Sequence, residues 1–94
     1  MPAPDVTITL NDADSTETVG QGKKVAWKNG TTDRSISINL PDCLAGNPAS
    51  PVVLAAGVTS STYNVPPGQA KQGYDYTFTV GAGLDTLNGT ITVN

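Results

Sequence analysis

The stretch Val25–Leu40, VAWKNGTTDRSISINL, decides how the chain reads. Val25 and Trp27 alternate with Ala26 and Lys28, the period of a half-buried strand. Ile36, Ile38 and Leu40 resume that period, with Ser35, Ser37 and Asn39 on the other face. Between them, Asn29-Gly30 is a dipeptide that tolerates positive φ and is read as a reversal. The unit is therefore expected to be hairpin-like and to nucleate the core. Its tryptophan, the only one in the chain, supplies apolar area and an indole N–H that needs a partner.

Outward from this unit the same period recurs. Val6, Ile8 and Leu10 mark a first strand, which ends at the polar turn Asn11–Ser15. A short strand over Thr16–Val19 precedes Gly20-Gln21-Gly22. The segment from Pro41 to Pro51, with three prolines and Cys43, has no usable period and reads as a long connection. Val52–Ala56 is a short apolar strand or crossover, and Thr59–Val65 is a strand that Pro66-Pro67-Gly68 closes. Tyr74, Tyr76, Phe78 and Val80 give the clearest alternation of all. Asn88-Gly89 is read as a turn before a last strand, Thr90–Val93. Seven or eight short strands at this spacing predict an all-β fold, an antiparallel Greek-key β-sandwich in one domain over residues 1–94. Trp27, Ile36, Ile38, Tyr76, Phe78 and Val93 are expected in its core, joined by Val6 and Ile8.

Composition narrows the function. The chain of 94 residues has 14% charged residues and a net charge of −3, and its five basic residues form no stripe. A phosphate backbone or an anionic membrane would be repelled, so neither nucleic-acid binding nor membrane insertion is expected. No apolar run reaches membrane-spanning length. Met1-Pro2-Ala3-Pro4 reads as an initiator ahead of a mature or excised domain, so a missing signal peptide is no argument for the cytoplasm. Cys43 has no second cysteine to pair with and is read as a partly buried free thiol. The chain has no histidine, which removes the commonest general base and the commonest transition-metal ligand.

Four segments in order, VAWKNGTTDRS, LAAGVTSSTYNV, GYDYTFT and LNGTITVN, resemble the cupredoxins, the plastocyanin- and azurin-like blue copper proteins. The resemblance runs from Val6 to Asn94 and implies a cupredoxin-like fold. It also implies a copper site of two imidazoles, a thiolate and an axial thioether. Carried onto this chain, the first histidine falls at Ser35 and the thiolate at Phe78 or Thr79. The second histidine falls between Gly81 and Gly83, and the methionine at Leu87. Every ligand is missing, and Cys43 lies in a different connection. Hydroxyl and isobutyl groups do not hold copper against water, so no metal and no cofactor is expected.

The remaining constellations are read as structure. Asp12, Asp14 and Glu17 put oxygen ligands for a calcium ion in one turn, but no sharpening glycine follows, and a solvated acidic turn is the better reading. Asn29-Gly30-Thr31 and Asn88-Gly89-Thr90 match the glycosylation pattern and are read as turns. Ser35 has no histidine to activate it, so Asp33 beside Arg34 is an exposed ion pair rather than part of a catalytic cluster. No catalytic residue is identified. The expected function is that of a metal-free, non-enzymatic cupredoxin-like module that binds a protein partner or plays a structural role. It is expected in the periplasm, at the cell surface or in secreted form. The alternatives are a blue copper electron carrier and an immunoglobulin-like adhesion or spacer domain of a larger surface protein.

Overall fold

The computed structural model describes residues 4–46, 48–81 and 86–94. Eight strands form among them: β1 Val6–Leu10, β2 Ser15–Val19, β3 Lys24–Asn29, β4 Ile36–Asn39, β5 Val52–Leu54, β6 Tyr63–Asn64, β7 Gly73–Val80 and β8 Thr86–Val93. They make two sheets, ordered β1-β3-β6 and β2-β8-β7-β4-β5. The all-β reading holds, and no described helix is long and apolar enough to cross a membrane.

Both sheets are mixed, which corrects the antiparallel expectation. β1 runs parallel to β3, and β2 runs parallel to β8, while the other pairs are antiparallel. Side-chain period is two in either kind of ladder, so alternation alone does not report strand direction. The central unit is also not a hairpin. β3 belongs to the three-stranded sheet and β4 to the five-stranded one, so the segment between them crosses from sheet to sheet.

One apolar cluster joins the two sheets. Ile8, Leu10, Val25 and Trp27 enter it from the first, and Val19, Ile36, Ile38, Tyr76, Phe78, Ile91 and Val93 from the second. Val6 is only partly buried against it. The expected strand over Thr59–Val65 shrinks to Tyr63–Asn64, with Thr59 making a single bridge to Lys28. Cys43 is fully buried rather than partly.

Asn88-Gly89 is not a turn. Both residues lie inside β8, opposite Thr77 and Tyr76 of β7. Gly89 is required there because the Tyr76 ring lies over its backbone, where a Cβ would overlap the phenol. Gly89→Ala is expected to destabilise by about 1–3 kcal/mol in urea unfolding, the usual range for an overpacked core. A loss below about 0.5 kcal/mol, typical of a neutral surface change, would show that the ring swings clear.

Candidate functional site

The positions assigned by resemblance to copper ligands lie on or beside β4, β7 and β8 of the five-stranded sheet. The Gly81 N–H donates to the Ser35 carbonyl at 2.6 Å, joining the ends of β4 and β7. Phe78 lies opposite Leu87 across β7 and β8, and Thr79 lies between Ser37 and Thr86. Alternation separates the two thiolate positions: Phe78 is buried with Leu87 packed against the same core, whereas Thr79 faces the other side. Ser35 is exposed. Of the positions read for the second histidine, 82 and 83 lie outside the described residues. Gly81 has φ 65° and backs onto the Arg34 side chain.

Arg34 closes this end. Its guanidinium binds both carboxylate oxygens of Asp12, with one arm at 3.1 Å, while Asp33 stands off at 3.7 Å. The neighbour in sequence is therefore the lesser partner. The bidentate pair with Asp12 ties the β1–β2 turn to the β3–β4 crossover. Hydrogen bonding to Asp12, then its charge, holds the Arg34 pKa above the ordinary value. Both side chains are about half exposed, so the clasp orders loops more than it stabilises the fold.

Beneath the clasp lies the residue that reading the sequence missed. Asn29 is the one buried amide side chain among the described residues, and all of its hydrogen-bonding capacity is used. Its Nδ2 donates to the carbonyls of Arg34 at 2.7 Å and Leu54 at 2.9 Å. Its Oδ1 accepts from the Thr31 N–H at 2.9 Å and the Thr31 hydroxyl at 2.6 Å. Its backbone N–H donates to Val58 and its carbonyl accepts from Gly57. The side-chain amide thus pins the crossover and the end of β5, and the backbone of the same residue pins the following loop. Gly30 next to it serves close approach rather than positive φ. A Cβ there would sit 2.7 Å from both Asn11 Oδ1 and Thr9 Cγ2.

The acidic turn does not converge on a cation. Asp12 is taken by Arg34, and Asp14 accepts from the Asn88 N–H at 3.0 Å. Glu17 lies on β2, where its charge is felt by Tyr76. Among the described residues no three His, Cys, Asp or Glu side chains are grouped for a metal. Of the two glycosylation patterns, the Asn29 amide is buried and fully engaged, and Asn88 is exposed within β8. Burial pushes the Cys43 thiol pKa up, against a backbone hydrogen bond that lowers it, and the Asp42 charge adds to the rise.

The aromatic side chains pack against one another. Trp27 meets Tyr63 and Tyr76 edge-on, at centroid distances of 5.8 and 5.6 Å. Tyr74 is half-buried, its hydroxyl donating to the Ala70 carbonyl at 2.9 Å. Contrary to expectation, the Trp27 indole N–H has no hydrogen-bond partner, nor has the Tyr76 hydroxyl. Burial raises the Tyr76 pKa. The Trp27 and Ser15 side chains, near but outside hydrogen-bond geometry, pull it back, and Glu17 pushes it up.

No protein-family model matches this chain, and no curated protein matches it. Among solved structures it is similar to one titled "Solution Structure of Amebosin", with a TM-score of 0.51 and 14% identity. The match covers 98% of this chain and 100% of that one. At that identity the likeness speaks for the shared all-β fold alone.

Proposed function

We propose that this chain is a metal-free cupredoxin-like module, a Greek-key β-sandwich with a binding or structural role outside the cytoplasm and no enzymatic activity. The observation that carries the reading is the end of the sheet just described. The positions that the resemblance assigns to copper lie on or beside its β4, β7 and β8 and carry hydroxyls, an aromatic ring and an isobutyl group in place of imidazole, thiolate and thioether. The Arg34–Asp12 clasp and the Asn29 amide take the place of a metal in tying the loops together. Val53 and Val58, the exposed large apolar residues among those described, flank the same Asn29-pinned loop and suit a protein partner. The parallel β1/β3 and β2/β8 pairs weigh against the immunoglobulin-like alternative, whose sheets are antiparallel.

Copper titration tests it. The protein is expected to remain colourless with added cupric ion. A graft of Ser35→His, Cys at 78 or 79, His at one of positions 81 to 83, and Leu87→Met is expected to gain a coloured site. An intense band at about 600 nm from the unmodified chain, the mark of a copper–thiolate bond, would overturn the metal-free reading. Failure of every graft that still folds would overturn the cupredoxin-like one.

A further inference from the structure

β1 is an edge strand of the three-stranded sheet, and no described strand pairs with its outer side. Open edges are normally blunted by charge, proline, a bulge or shortness. The other three edges of this molecule are blunted. β2 carries Glu17 at its middle, and β5 has three residues behind Pro51. β6 has two residues, and its Asn64 carbonyl already accepts from the Ala45 N–H. β1 has none of these. Its VTITL is uncharged, mostly β-branched and free of proline and glycine.

The ladder fixes which of its groups are open. The Gly30 N–H donates to the Leu10 carbonyl at 2.8 Å, so Leu10 faces β3. In a parallel ladder alternate residues turn both N–H and C=O to the neighbour. Ile8 therefore also faces β3, and Thr7 and Thr9 turn their backbone groups outward. Exposure agrees: Ile8 and Leu10 are wholly buried, and Thr7 and Thr9 are exposed. Just before the strand the exposed Asp5 carboxylate accepts from the Lys24 N–H at 2.9 Å, on the β3 side of β1 rather than its open side.

We propose that this edge pairs with a second copy of the chain, β1 against β1, antiparallel about a two-fold axis at Ile8. That register sets Thr7 opposite Thr9 of the second copy, twice over. Each pair exchanges two backbone hydrogen bonds, so all four open donors and acceptors are satisfied at once. The threonine side chains then form two cross-strand Thr–Thr pairs, a favoured combination. Ile8 faces Ile8 in the central, non-hydrogen-bonded position. A strand pair alone buries less than the roughly 1,200 Å² of a stable interface, so the association is weak and reversible.

Sedimentation equilibrium on the intact chain at concentrations up to about 1 mM, the range in which contacts of this strength fill, tests the pairing. The weight-average mass is expected to rise from one chain toward two. The Thr7→Lys/Thr9→Lys variant sets like charges opposite one another across the seam, beside the Lys28 that already faces Thr9 within one chain, and is expected to weaken association about tenfold or more. Thr7→Lys/Thr9→Glu sets opposite charges across the same register and is expected to restore it. Circular dichroism checks that each variant folds. As a measure that needs no variant, the Thr7 and Thr9 amides of the unmodified chain should gain protection from exchange as concentration rises. A mass of one chain throughout, association unaffected by paired lysines, or Thr7 and Thr9 amides indifferent to concentration would overturn the proposal.

Discussion

Replacing Trp27 by alanine is expected to cost about 3–5 kcal/mol, the range for a large aromatic removed from a packed core. The indole is wholly buried and lies where the two sheets meet, edge-on to Tyr63 of β6 and Tyr76 of β7. Removing it opens a void that both rings border. The Tyr76 ring, which covers Gly89, loses the surface it leans on. Little can collapse to fill the gap, because Ser60 holds the backbone at this point from both directions. The Trp27 N–H donates to the Ser60 hydroxyl at 2.9 Å, and the Ser60 N–H donates to the Trp27 carbonyl at 2.7 Å. The unpartnered indole N–H leaves with the ring, so no hydrogen bond is lost to offset or enlarge the figure. A domain of this size holds about 5–10 kcal/mol in reserve, and the variant would lose a large share of it. Urea unfolding of the two proteins gives the difference. A loss below about 1 kcal/mol would mean that the site relaxes around the missing ring, contrary to the packing described.

The strands with strict alternation were legible because a buried face leaves a mark every second residue. β1 appears over the residues expected, and β7 starts one residue early. The two Asn-Gly pairs were not legible. Both carry the chemistry of a turn, and neither forms a hairpin. Gly30 is there for the approach of Asn11 and Thr9, and Gly89 for the ring of Tyr76. Those causes lie in residues far along the chain, which a local reading does not reach. Strand direction was hidden for a similar reason, since a parallel neighbour leaves no signature of its own in the alternation.

The candidate site divides in the same way. Ser35, Phe78, Thr79 and Leu87 are what the resemblance implies, and the ladders set Phe78 beside Leu87 and Thr79 between Ser37 and Thr86. What holds the sheet end at Arg34 shut did not follow. Asp12 is 22 residues from Arg34, and the nearer Asp33 looked the better partner. Asn29 looked like a turn residue because burial of an asparagine becomes visible only once its four partners are in place. The one available signal was its parity: two residues after Trp27, past the exposed Lys28, it falls on the buried face of β3.

Asn29 also carries the second large expected effect. Asn29→Ala removes a donor from each of the Arg34 and Leu54 carbonyls and the acceptor from Thr31, leaving the buried Leu54 carbonyl bare while the Arg34 carbonyl keeps the Thr31 hydroxyl. Leaving such groups unpaired costs about 1–3 kcal/mol each when nothing replaces the bond, and the loops here can partly relax, so a total of about 3 kcal/mol is expected. Asn29→Asp keeps the shape and is expected to be worse at neutral pH. It would set a buried carboxylate against two carbonyl oxygens, with no cation inside the site to balance it. The pH dependence of that variant follows from its sign. Burial raises the folded-state pKa of the introduced carboxyl above its unfolded value, so the folded form binds the proton more readily. Its stability therefore recovers as pH falls toward the unfolded value near 4 and is lost as pH rises above it. A protonated carboxyl supplies one of the two missing donors, which bounds the recovery short of the native protein. Unfolding of the native chain and both variants at pH 7 and at about pH 4, near the model carboxyl value, separates the contributions. An Asn29→Ala loss below about 1 kcal/mol would show that the crossover and the β5 loop hold without the amide. An Asn29→Asp variant whose deficit does not shrink in acid would show that the carboxylate reaches water, and that this end of the sheet is open rather than sealed.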